Sequence, residues 1–231
     1  MSANDISNHD DILSNENEVL PIMDENIHRL YKARCTMRTM MRDRDYVPMQ
    51  EQWDQNASDF LRMHTTMSNY IALTIRAWKG ETLLLAFFPP DGKLRVSVVR
   101  DICEYAKECR CNHFLIVYAD TITSFTRTMI MNYRSDNNCR IETFSLDQLQ
   151  YNVTEHELVP PHRVLGQEEQ KHVLKKLQSK AEQLPKILAS DPLVKWYGAR
   201  VGQVIEIKRS SPDGFFYKAY RVVIKGVYKR G

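Results

Sequence analysis

The sequence predicts an α+β fold: an α/β-like N-terminal part with a mixed sheet flanked by helices, then a small C-terminal α+β part with its own mixed sheet. Three observations carry this reading. Between residues 27 and 150, apolar runs of strand length alternate with segments of helical period. Two of those runs, Thr82–Phe88 and His113–Ala119, are continuously apolar, as strands covered on both faces are. From Tyr151 onward the pattern changes to short helices, a proline corner and a closing hairpin.

The first element is a helix over Ile27–Arg44. Ile27, Leu30, Tyr31, Met37, Met40 and Met41 recur at helical spacing, with Arg29, Arg34, Arg38 and Arg42 read as an opposite, solvated face. Asp24 and Asn26 are capping candidates ahead of it. Tyr46–Pro48 ends it, because the residue before a proline is pushed out of the α region. A second helix is expected over Met49–Met63. Tyr70–Trp78 alternates as a strand with Ile71, Leu73 and Ile75 on one face. Thr82–Phe88 follows after Lys79-Gly80, and Pro89-Pro90-Asp91-Gly92 closes it. A helix over Val96–Cys109, a strand over His113–Ala119, a helix over Phe125–Tyr133 and a strand over Arg140–Phe144 complete this part. Beyond Pro160-Pro161, helices are expected over Gln167–Gln178 and Pro192–Tyr197, the latter stopped by Gly198. Strands over Gln203–Arg209 and Phe215–Ile224 are joined by Ser210-Ser211-Pro212-Asp213-Gly214, in which Pro presets φ and Gly accepts a positive one.

The 231 residues are 43% hydrophobic and 26% charged, the usage of a globular protein. No apolar run approaches the roughly 18 residues of a membrane span. Five cysteines, with no secretory signal ahead of them, read as reduced thiols. Secreted, membrane and disulfide-scaffold classes are thereby excluded. The net charge of +3 conceals three unlike regions. Residues 1–27 hold seven acidic groups and no Lys or Arg, and are poor in aromatics, so residues 1–26 are expected to form an acidic disordered tail. The domains are then residues 27–150 and residues 151–231, the latter with 15 basic against 8 acidic groups.

Candidate chemistries are few. Cys103, Cys109, Cys111 and His113 are four soft ligands within eleven residues, but the spacing lacks the paired knuckles of zinc sites, and helix packing is the better reading. Asp191 with Glu206-Ile207-Lys208 has the form of a metal-dependent nuclease constellation, with two carboxylates for Mg²⁺ and a lysine to orient water. Against it, Asp191 suits the cap of the helix begun by Pro192, and Glu206 and Lys208 share one face of a strand as an ordinary ion pair. The corner Glu155-His156-Glu157-Leu158-Val159-Pro160-Pro161-His162 departs from H-E-x-x-H, and its prolines forbid the helix that motif needs. It reads as a rigid packing or docking segment. No cofactor and no metal are expected.

His156-Glu157-Leu158-Val159-Pro160, Gln183-Leu184-Pro185-Lys186-Ile187, Ser190-Asp191-Pro192, Tyr197-Gly198, Gly202-Gln203-Val204 and Tyr220-Arg221 occur in one order over residues 155–223. This set resembles the fifth subunit of eukaryotic nuclear RNA polymerases, whose archaeal counterpart consists of the C-terminal part only. Upstream, Ile27-His28-Arg29-Leu30-Tyr31, Arg42-Asp43-Arg44-Asp45-Tyr46 and Ile141-Glu142-Thr143-Phe144 resemble blocks of that family's N-terminal domain. The resemblance implies a non-catalytic nuclear subunit with a jaw domain over residues 27–150 and an assembly domain over residues 151–231. The jaw would border downstream duplex DNA, with Thr123, Ser124 and Arg127 nearest to it. The assembly domain would dock on the largest subunit, shaped by His156, Glu157, Leu158, Val159, Pro160, His162, Asp191, Pro192, Gly198, Gly202, Tyr220 and Arg221. Other polymerase subunits and transcription factors are the further partners implied, and no membrane. Pro161 replaces a usual Lys, Gly166 a usual capping Ser, and Thr123-Ser124 a usual T-P pair, departures that fit a divergent protist form or a polymerase-specific isoform. The alternatives are a Mg²⁺-dependent nuclease using Asp191, Glu206 and Lys208, and a free nucleic-acid-binding adaptor.

Overall fold

The computed structural model describes residues 25–49, 56–66, 73–89, 93–119, 121–211 and 213–226. Its order is α1 (Glu25–Asp43), β1 (Val47–Pro48), α2 (Ala57–Thr66), β2 (Ile75–Lys79), β3 (Thr82–Phe87), α3 (Val96–Glu108), β4 (His113–Tyr118), α4 (Ser124–Asp136), β5 (Arg140–Ser145), β6 (His162–Val164), α5 (Gln167–Lys176), β7 (Lys186–Leu188), α6 (Pro192–Trp196), β8 (Val204–Ser210) and β9 (Phe216–Ile224). Two mixed sheets result, the α+β class the sequence predicts.

Strands β1 to β5 lie side by side in sequence order. The first three are antiparallel, because Gly80 at φ +58° allows a tight turn between Lys79 and Thr82. The last three are parallel, because α3 and α4 carry the chain back across the sheet each time. Alternation splits the continuously apolar strands between two cores. Leu84, Ala86, Leu115 and Val117 face α1 and α2, whereas Leu85, Phe87, Phe114 and Ile116 face α3 and α4. The second sheet runs β6-β8-β9-β7, with only the β7–β9 pair parallel. Ile205, Ile207 and Val223 pack under Val194 of α6, and Val204 and Val222 pack with Val173 and Leu174 of α5.

Several expectations change. The helix expected over Met49–Met63 begins only at Ala57. Met49 instead extends the sheet edge, its N–H donating to the Arg76 carbonyl at 2.7 Å, while residues 50–55 lie outside the described residues. Pro48 is tolerated because β1 is an edge strand. The strand expected over Tyr70–Trp78 shortens to β2; its alternation survives in buried Ile75 and Ala77 around exposed Arg76, and residues 70–72 lie outside the description. Asp24 does too, and Asn26 sits inside α1. The basic face of α1 is not solvated as a whole. Arg34 is fully buried, its guanidinium 5.6 Å from the Phe60 ring centroid and 5.2 Å from that of Phe88, and it donates to the Leu73 carbonyl. Arg38 is buried as well. Periodicity shows which residues share a face; it does not show that a second helix covers that face.

Candidate functional site

The densest polar cluster lies where the two sheet units meet. Arg44 stands at the end of α1, which Asp45 stops at φ +64°. Along β5, the side chains on the α1 face are Arg140, Glu142 and Phe144, because parallel pairing sets Glu142 beside Leu115. Half-buried Glu142 therefore lies under Arg44, which donates to both of its oxygens at 3.1 and 3.0 Å. His113 Nε2 reaches the same carboxylate at 2.7 Å and Arg140 at 3.0 Å. Burial works to raise the Glu142 carboxyl, but the Arg44, His113 and Arg140 contacts outweigh it and hold it far below the usual carboxylate range. Burial lowers His113, and the neighbouring arginines add to that against Glu142, so the ring is neutral near pH 7 and its Nε2–H donates.

The other side of this cluster is α6. A helix end leaves carbonyls without intrahelical partners, and here the first unit supplies donors for them. Arg44 Nε donates to the Trp196 carbonyl at 2.8 Å, Arg44 also to Lys195 O at 2.6 Å, and Arg140 to Gly198 O at 2.7 Å. In return Lys195 Nζ donates to Thr143 O at 3.0 Å on the outer edge of β5, and Trp196 Nε1 to Asp43 at 2.7 Å. The Trp196 ring is 3% exposed and belongs to the core under α1. Gly198 has two reasons to be glycine. Its φ is +62°, and a Cβ there would come within 3.0 Å of Arg44 Cζ.

Around the second sheet, the predicted residues divide by role. Asp191 caps α6, accepting from Leu193 N–H at 2.9 Å, with Pro192 in the first helical position. Gly202, at φ +90°, donates its N–H to Val223 O at 2.9 Å and accepts from Gln170 Nε2 at 3.1 Å, tying α5 to the sheet. Tyr220 donates to Glu206 at 3.3 Å, and Arg221 pairs in register with Ile205 inside the β8–β9 ladder. The segment from His156 to His162 is a fixed turn. His156 accepts Leu158 N–H on Nδ1 at 3.2 Å and Val159 N–H on its carbonyl at 2.8 Å. His162 Nδ1 meets Pro160 O at 2.6 Å, and β8 holds the turn through Lys208 N–H to Pro161 O at 3.0 Å. The turn presents Leu158, 83% exposed, beside Phe216 and Tyr217, both more than half exposed. A groove of ≈ 550 Å³ runs between them, lined also by Glu157, Val159 and Arg209.

Thr123 caps α4, its hydroxyl accepting Thr126 N–H at 3.2 Å, and Ser124 and Arg127 are exposed beside it. The nuclease reading fails on side-chain use. The Glu206 carboxylate is taken by Lys218 at 3.1 Å, Arg163 at 3.6 Å and Tyr220, Lys208 lies 4.6 Å over the Phe216 ring, and Asp191 is a cap. Among the described residues no group of three or more His, Cys, Asp or Glu is arranged to hold a metal. Cys103 and Cys111 are buried, and burial pushes their thiols up to about 12 and about 11.

Reasoning from sequence missed the junction as a site. Asp43, Arg44, Glu142 and Gly198 fall in the blocks Arg42–Tyr46, Ile141–Phe144 and Tyr197-Gly198 that the resemblance picks out, whereas His113, Arg140, Lys195 and Trp196 lie outside every block. The signal that was available is a Glu on the buried face of a strand, a polar residue where the core pattern calls for an apolar one.

The described residues thus hold a charge cluster between two units and, elsewhere, an exposed apolar turn. "RNA polymerase Rpb5, N-terminal domain" matches residues 24–106, and "RNA polymerase Rpb5, C-terminal domain" matches residues 151–223. The Caenorhabditis elegans "DNA-directed RNA polymerases I, II, and III subunit RPABC1" is 30% identical over 205 residues, covering 85% of this chain and 96% of the relative. The corresponding Dictyostelium discoideum protein, rpabc1, is 28% identical over 200 residues, covering 87% and 100%. The Arabidopsis thaliana "DNA-directed RNA polymerase subunit 5-like protein 1" is 29% identical over 209 residues, covering 87% and 99%. The chain belongs to the RNA polymerase Rpb5 family, and the subunit is not itself a catalyst.

Proposed function

We propose that this chain is a structural subunit of a nuclear multisubunit DNA-directed RNA polymerase, in the nucleoplasm or nucleolus according to the polymerase that takes it. In this reading residues 1–26 are an acidic tail, residues 27–150 a jaw bordering downstream DNA, and residues 151–231 an assembly domain docked on the largest subunit, with other subunits and transcription factors as further partners. The observation that carries it is the apolar surface of Leu158, Phe216 and Tyr217 around the His156–His162 turn. Exposed aromatic clusters rimmed by charge mark protein contacts. Thr123, Ser124 and Arg127 then face DNA from the far end of the first sheet, where contacts go to phosphate and carry no sequence preference.

Tagged full-length chain purified from its own cells tests this. Stoichiometric large polymerase subunits are expected with it, and at least tenfold less of them with the double variant L158D/F216D at unchanged thermal midpoint. Recovery of the chain by itself, or equal recovery from the double variant, overturns the reading.

A further inference from the structure

A second groove, of ≈ 810 Å³, opens beside the junction, at the end of the first sheet where β3, β4 and β5 begin. Arg110, Arg134, Arg140 and Arg200 line it, with Glu81 the one acidic residue in the lining. Arg140 is committed to Glu142, whereas Arg110, Arg134 and Arg200 are exposed and make no ion pair among the described residues. Trp78 and Leu83 lie on the same wall. The register sets Val47 opposite Trp78 and Trp78 opposite Leu83, so the three side chains form a row across β1, β2 and β3. Further along β3, α3 and α4 cover this face and bury Leu85 and Phe87. Here they leave Val47 72% and Trp78 44% exposed. An exposed apolar row thus runs into a cluster of unpaired arginines. Thr123 and Ser124 follow β4 at the opposite end of the same sheet, and the His156–His162 turn lines a different groove.

We propose that this corner binds an acidic peptide segment of another protein. An apolar side chain of the peptide rests on the Val47–Trp78–Leu83 row, and flanking carboxylates meet Arg110, Arg134 and Arg200. Charge complementarity selects the carboxylates. Guanidiniums take them in paired hydrogen bonds, and no acid among the described residues pairs with these three. The apolar row selects a peptide over a nucleic acid. A duplex would bring phosphates to the arginines and no side chain to the row, whereas Trp beside Arg is the composition of a protein contact centre. Arg200 belongs to the second sheet unit and the other two arginines to the first, so a bound peptide touches both. Its ionic part is strong in low salt and falls as salt screens the exposed charges.

Fluorescence anisotropy on the full-length chain tests the proposal, with a labelled synthetic peptide of Asp and Glu around a central Leu pair as the probe. In low salt the double variant R134E/R200E is expected to bind the probe at least tenfold more weakly than the native chain. K175E/K176E changes the net charge equally, on the exposed surface of α5, and should stay within twofold of native. A probe with Ser in place of Leu should bind the native chain at least threefold more weakly, and Trp78→Ala should abolish that preference. The exchange of probes leaves the protein unaltered, so it decides the matter even where a variant is destabilised. No binding to the native chain, native-like binding by R134E/R200E, or equal binding of the two probes overturns the proposal. An equal loss in K175E/K176E marks a diffuse field and overturns it as well. Displacement of the probe by duplex DNA at equal or lower concentration assigns the groove to nucleic acid and overturns it too. Binding is read on the chain by itself, so failure here leaves the role of the His156–His162 turn untouched.

Discussion

Glu142 shows how one residue can couple fold and pH. A carboxylate on the buried face of a strand is stable there only because two guanidiniums and an imidazole meet it. Its folded pKa lies below the ordinary value, so its contribution is complete above about pH 4.3 and is lost as pH falls. His113 is also lowered, and a ring buried neutral loses stability as pH falls through its ordinary value of about 6.5. Both signs agree. The thermal midpoint is expected to be flat from pH 8 to 7, to fall from pH 6.5 to 5, and to fall faster below that. In Glu142→Gln the unpaired arginines should cost about 3 kcal/mol at pH 7.5, and the steep acid limb should flatten. Differential scanning calorimetry across pH reads both, and a native midpoint that holds constant down to pH 4.5 refutes the role given to this cluster.

Elements were legible in proportion to length and pattern. α1, α3 and α4, each 13 residues or more, and the two-sided strands β3 and β4 follow directly from period and continuity. β1, β6 and β7 have two or three residues each and exist because a remote strand pairs with them, a cause no local window contains. Arg34 was misassigned for the same reason: its cover, Phe60, comes from α2. The His156–His162 turn was legible as a rigid proline corner, and Asp191 as a cap, because both act within a few residues of themselves. The junction was not, since it joins positions about 100 and 150 residues apart. Thr123 tests an element directly, because its hydroxyl is engaged as the cap of α4. Thr123→Ala should cost about 1 kcal/mol, a fall of roughly 2–4 °C in thermal midpoint, and Thr123→Ser should restore most of it. An unchanged midpoint in Thr123→Ala removes the capping role.

At the scale of the whole molecule, the question is whether two sheets behave as one body. Each has its own core, but the core under α1 is completed by Trp196 from the second unit. The polar contacts around it are donated from both sides: Arg44 and Arg140 to the carbonyls of α6 and Gly198, and Lys195 to the edge of β5. That edge would otherwise offer open backbone acceptors to another strand. Cohesion therefore rests on one aromatic side chain more than on any single ion pair. Trp196→Ala removes a buried side chain at the centre of the contact, for which about 3–5 kcal/mol is expected. The native chain should melt in one transition, and this variant in two, the first at least 6 °C below the native midpoint. Trp196→Phe keeps most of the volume and loses only the bond to Asp43, whose exposed carboxylate returns to water, so a single transition within about 3 °C of native is expected. Calorimetry with near-ultraviolet circular dichroism distinguishes the cases. If Trp196→Ala melts as the native chain does, the units are held elsewhere; if Trp196→Phe splits the transition as well, the Asp43 bond rather than the buried ring joins them.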